Sequence, residues 1–232
     1  MKKLIGLISI AVILIAVSSN AQVILSWEFS GNSGITPDPE TADFFGTNIS
    51  STSPSGALTR GSGIVGASNT DGFSSNNWST SGVSSLSEAI TAGDYYSFSI
   101  GPEAGFSINL SALDINFQTT GSGPDSWGLF SSLDSFSSAV DTFTLDGASA
   151  TINLDVSDSS FDTLTSTVEF RLAGFGATGS TGAARFNGSG SDIVFSGLTS
   201  AIPEPSTYTL IFGGLALGLV AWRKRRKLAE AV

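Results

Sequence analysis

The chain has 232 residues, with 20 acidic and 10 basic side chains and neither cysteine nor histidine. Without those two residue types there are no disulfides, no zinc site of the usual kind, and no Ser–His or Cys–His nucleophile pair. Residues 22–201 hold eighteen acids against Arg60, Arg171 and Arg185, a net charge of −15. Such a surface repels nucleic acid and anionic lipid, which excludes a nucleic-acid partner and suits a hydrated extracellular setting.

The N-terminus reads as a signal peptide over residues 1–21. Lys2 and Lys3 supply the charged start, residues 4–17 are almost continuously apolar, and Ser19 and Ala21 are small residues at the two positions a signal peptidase reads. The expected partners are the Sec export machinery and signal peptidase, with cleavage after Ala21. An uncleaved anchor is the alternative, although the apolar run is shorter than the ~20 residues a span needs.

From residue 22 to residue 201 the hydrophobic period is two, not 3.6. Val23, Leu25, Trp27 and Phe29 alternate with mostly polar neighbours and predict a first strand. Further strands are predicted at Tyr96, Phe98 and Ile100, then at Phe106, Ile108 and Leu110. Leu113, Ile115 and Phe117 continue one residue out of phase, so a bulge is expected near Ser111 and Ala112. Later strands are expected at Ile152 to Val156, Val168 to Leu172, and Ile193 to Phe195, with shorter ones at 127–130 and 140–145. Turn signals at Gly101-Pro102, Gly123-Pro124, Asp146-Gly147 and Asn187-Gly188 separate them. A turn of helix is expected within 84–90, and the glycine-rich stretch 174–190 reads as an irregular surface loop. The fold class is all-β, a jelly-roll-like β-sandwich, flanked by the signal peptide and a C-terminal single transmembrane helix.

Carboxylates are the remaining groups with catalytic potential. A sandwich glycosidase needs two acids facing one groove, and no such pair is evident; Glu169 lies out of phase with Val168, Phe170 and Leu172. No catalytic residue, metal or cofactor is therefore assigned, and the chain is not expected to be an enzyme. Asp155, Asp158 and Asp162 fall close enough to share a Ca²⁺ through loop oxygens, yet their spacing is not that of an EF-hand. Among the aromatics that could stack on a sugar, Tyr95 and Trp127 are weaker candidates, Trp127 because Leu129 beside it argues for core. Trp78, between Asn77 and Ser79, is the candidate glycan contact.

Residues 202–232 have three parts in a fixed order. Pro203, Glu204 and Pro205 form a stiff tripeptide. An apolar run follows over 208–222, bounded by Tyr208 and Trp222 and containing the GxxxG pair Gly214 and Gly218. Arg223, Lys224, Arg225, Arg226 and Lys227 close it as a basic stop-transfer cluster that stays inside. This order resembles the PEP-CTERM sorting signal. Segments within 93–113 and 131–136 are similar to those of other sandwich proteins that carry such a signal.

The resemblance implies that an exosortase, an integral membrane protease-transpeptidase, processes the chain near Pro203, Glu204 and Pro205. It implies export, transient anchoring in the inner membrane with the domain outside, and delivery to the cell surface or extracellular matrix. A permanent C-terminal anchor is the alternative. The expected role is non-enzymatic, structural or adhesive. Other readings are a carbohydrate-binding module for exopolysaccharide and, third, a glycan-active enzyme.

Overall fold

Alternating apolar side chains need a second surface to cover them, and the chain provides it by closing into two antiparallel sheets packed face to face. The computed structural model describes residues 21–203 and 205–230. In chain order, β1 (Gln22–Trp27) leads into an arm of short strands: β2 (Ser33–Gly34), β3 (Glu40–Thr41), β4 (Phe44–Phe45), β5 (Ala57–Arg60), β6 (Val65–Gly66), β7 (Asn69–Thr70) and β8 (Phe73–Asn76). Helix α1 (Leu86–Ala92) ends the arm. Then come β9 (Tyr95–Ile100), β10 (Phe106–Thr119), β11 (Ser126–Ser131), β12 (Ala139–Thr144), β13 (Ser149–Leu154), β14 (Val168–Phe175), β15 (Ala184–Phe186) and β16 (Ile193–Ala201). Helix α2 (Pro205–Glu230) follows. The expected signal peptide, including Lys2, Lys3 and Ser19, lies outside the described residues; Ala21 stands one residue before β1.

The first sheet runs β4-β1-β16-β10-β15-β8-β6, with β13 on the opposite side of β10 from β16 and β15. The second runs β12-β11-β14-β9-β5-β3. Eight strands have six residues or more: β1, β9, β10, β11, β12, β13, β14 and β16. Counted in that order, the first sheet reads first, eighth, third, sixth, and the second reads second, seventh, fourth, fifth. That is the strand order of a jelly roll, so the expected fold class holds at the level of topology. First and last strands lie side by side, with Trp27 opposite Ile193 and Gln22 opposite Gly197.

The core lies between the sheets. Trp27, Phe117, Phe186 and Phe195 from the first sheet meet Tyr96, Phe98, Trp127 and Phe170 from the second, all fully buried. Phe117 stands edge-on to Trp127 at 4.7 Å between centroids, and Tyr96 lies 4.9 Å from Phe186. The register of β10 against β16 shifts between Leu110 and Ala112, so a bulge sits where the phase of the sequence changes.

Two stretches differ from expectation. The glycine-rich segment 174–190 is not wholly irregular, because β15 within it pairs with both β10 and β8, and buried Ala184 and Phe186 anchor it. The helix near 84–90 lies at Leu86–Ala92. Ser85 caps it by accepting from Glu88 N, and Gly93 ends it at φ 84. A side chain at Gly93 would also strike Ser62 Oγ at 2.5 Å and Gly63 N at 2.7 Å. Leu86 and Ile90 pack with Phe130 and Ala173 on the outer face of the second sheet.

Candidate functional site

The junction of domain and C-terminal segment is built by the last strand. Pairing of β16 with β1 ends at Gly197, whereas pairing with β10 continues to Ala201, opposite Phe106. Ile202 N then donates to Gly105 O at 2.8 Å. Pro203 has no N–H and cannot extend the ladder. Pro205 opens α2, where a missing N–H costs nothing because the first helical N–H has no partner inside the helix. The sheet thus hands over to the helix within three residues, with Glu204 outside the described residues.

Helix α2 is 26 residues long. Its apolar side chains are uncovered: Phe212, Leu215, Leu217, Leu219, Val220 and Trp222 are each more than half exposed. Gly214 and Gly218 have open space around them. Arg223, Lys224, Arg225 and Arg226 are exposed, and the Arg226 guanidinium sits 4.4 Å from the Trp222 ring centre, one turn on. The side chains of Tyr208 and Lys227 lie outside the described residues.

Among the described residues no helix is long and apolar enough to cross a membrane. The expected transmembrane helix is corrected accordingly. The apolar run of fifteen residues rises only ~22 Å before the cations begin, against a hydrocarbon core of ~30 Å.

Trp78 is not a surface platform. It is 2% exposed, stands edge-on to Tyr96 at 5.5 Å and to Trp127 at 5.2 Å, and donates from Nε1 to Ser75 O at 3.2 Å. Its polar neighbours face outward or bond elsewhere: Asn77, at φ 65, is exposed, and Ser79 N donates to Asp94. Trp127 is likewise core, and Tyr95 is taken by Arg171, whose guanidinium lies 4.5 Å from that ring and 3.7 Å from Phe136.

The acids are committed to local structure. Asp155 accepts from Ser157 N and Oγ, and Asp158 caps the turn at Ser160; these bonds hold both carboxyls below their usual range. Among the described residues no group of three acids is placed to hold a metal ion, Asp155, Asp158 and Asp162 included. Glu169 pairs with Arg171 at 2.8 Å and accepts from Ser97 Oγ.

Asp192 was not legible in advance. It is fully buried beside β1, where Oδ2 accepts from Phe29 N at 2.8 Å and Oδ1 has no partner. Burial pushes its carboxyl up to about 7, helped by the charges of Glu28 and Asp43. Its one signal is an acid directly before the apolar Ile193-Val194-Phe195.

An open cleft of about 420 Å³ lies between Ile35, Asp38, Arg60, Ile64 and Val65. Arg60 forms its floor, donating to Ser75 Oγ, Thr36 O and Ser74 O, with the guanidinium 3.7 Å from the Phe73 ring centre and 3.6 Å from Asp38. Desolvation lowers its pKa, yet the group is held as a cross-link between the sheets, with its donors directed at protein acceptors.

The outer face of the first sheet carries a row of polar pairs. Asn153 donates to Asp114, Thr151 to Asn116, and Arg185 to Gln118, at 2.7, 2.7 and 2.6 Å.

The PEP-CTERM protein-sorting motif matches residues 201–226, from the last residue of β16 through the basic cluster. The motif marks the chain as an exosortase target and implies export with sorting at the membrane. No curated protein matches the chain.

Proposed function

We propose that the chain is an exported surface or matrix protein, a jelly roll delivered through its C-terminal signal and playing a non-enzymatic, structural or adhesive role. The observation that carries this reading is helix α2, joined to the last strand by three residues and exposing Phe212, Leu215, Leu217 and Leu219. Exposed apolar surface of that extent needs a partner, and lipid or a membrane enzyme supplies one. Exosortase takes the chain at Pro203, Glu204 and Pro205, while the cations after Trp222 meet anionic lipid headgroups. A domain of charge −15 then stands clear of anionic lipid headgroups after release. The commitment of Asp155, Asp158 and Glu169 to turns and pairs supports a non-enzymatic role.

Fractionation of the native host tests the reading. With the exosortase present, the protein is expected at the surface or in the matrix; with it deleted, in the membrane fraction. An unchanged distribution would remove the sorting role.

A second reading, binding of exopolysaccharide, rests on the row Asp114, Asn116, Gln118, Thr151, Asn153 and Arg185, which presents donors and acceptors to a hydroxyl-rich chain. Retention on host exopolysaccharide should weaken in Asn116→Ala/Gln118→Ala and stay unchanged in Leu133→Ala, whose exposed side chain lies outside that row.

A further inference from the structure

The geometry points to a step before cleavage: we propose that exosortase can load this chain only after residues 198–202 peel from β10. The proposal rests on the sorting reading above.

Proteolytic clefts take a substrate as an extended strand, because its backbone N–H and C=O groups must be free to pair with the enzyme. Here the sheet's last hydrogen bond is at Ile202, and α2 begins at Pro205. Only three residue steps separate them, a length of chain that can reach about 10 Å at most. A cleft that grips residues on both sides of the scissile bond needs more, so either the strand or the helix must open.

The strand end is the weaker of the two. Residues 198–201 are flanked by β10 on one side alone, since β1 reaches only Gly197. On the other side their side-chain ties are those of Thr199, which donates to Thr47 O and accepts from Asn48 Nδ2, both at 3.2 Å. None of Leu198, Thr199, Ser200, Ala201 and Ile202 is buried, and Ile202 is 41% exposed. The apolar anchors of β16, Ile193 and Phe195, lie further back and would stay in place. Peeling therefore stops at Gly197, where the strand becomes flanked on both sides, and frees five residues without disturbing the core. Helix α2, by contrast, keeps its own backbone bonds whatever the domain does.

The register supplies a staple. Because Ile202 N bonds Gly105 O, the pair Phe106–Ala201 is a non-hydrogen-bonded pair, in which Cα atoms of antiparallel strands lie close enough for a disulfide. The native chain has no cysteine to interfere. In the native host, processing of Phe106→Cys/Ala201→Cys would be followed by mass beside the two single variants. The account predicts loss of processing in the oxidised double variant and recovery on adding reductant. Processing of the oxidised form at the rate of the single variants would overturn the peel while leaving the sorting reading intact. If the parent chain has the same mass in a host lacking exosortase, both fall together. Ser200→Pro removes the N–H that faces Ser107 and should speed processing; an equal or slower rate counts against the peel.

Discussion

In residues 95–201, strands β9, β10, β14 and β16 turn aromatic and aliphatic side chains inward at alternate positions, and the two sheets meet through them. The arm at 28–94 reaches the same sheets with strands of two to four residues and far fewer apolar anchors. Beside Phe29, Phe73 and Trp78 it buries polar groups: Thr36, Ser74 and Ser75 lie around the Arg60 guanidinium, while Ser55 bonds Gly101 and Asp94 accepts from Ser79 N. The first region is held by burial, which is non-directional and spread over many contacts. The second adds to its few apolar anchors a set of directional bonds, three of them from the Arg60 guanidinium, so more of its stability is local.

Four substitutions sharpen that contrast. The largest effect belongs to the core: Phe117→Ala takes away a ring packed against Trp127, Tyr96, Phe143 and Phe186 and should cost about 3–5 kcal/mol, read by urea unfolding. An effect below about 1 kcal/mol would mean that the sheets do not rely on this layer. Next, Arg60→Met strands Asp38 and the carbonyls of Thr36 and Ser74, at about 2–3 kcal/mol. Its signature should be faster amide exchange in the arm with β14 still protected; uniform loss of protection would erase the distinction between the regions.

Asp192 joins the two regions, tying β16 to Phe29, and its effect has the opposite sign. Its carboxyl titrates at about 7 when folded and near 3.8 when unfolded, so the folded state binds the extra proton. This contribution is fully present below pH ~4 and is lost as pH rises through about 7. Asp192→Asn should therefore raise Tm at pH 8 and leave it nearly unchanged at pH 4, and a lower Tm at pH 8 would contradict the assignment. Smallest is Ser85→Ala, which removes the cap of α1 and should cost about 1 kcal/mol in the same unfolding measurement.

The alternation of Tyr96, Phe98 and Ile100, and the phase change at Ser111, were legible because each long strand has one face on the core. The pattern fails where small polar side chains do the filling. In Phe73–Asn76, buried Ser74 and Ser75 give no hydrophobic period, and in Ala57–Arg60 only Leu58 marks the strand. Trp78 misled for a related reason: Asn77 is exposed and Ser79 bonds Asp94, while the indole between them faces the core. Residue size was the better guide, since the indole is the largest side chain and gains the most from burial. The sorting segment was readable from order alone, as its parts act through chemistry and position rather than packing. How closely it abuts the last strand was not readable, because pairing to Ile202 depends on register with β10.

The most direct test is the intact mass of the mature protein from its native host, with and without the exosortase. The account predicts a mass lacking residues 1–21 and all residues beyond the Pro203–Pro205 motif, with the C-terminal part restored in the deletion host. A mass that retains residues 208–232 in both hosts would contradict it.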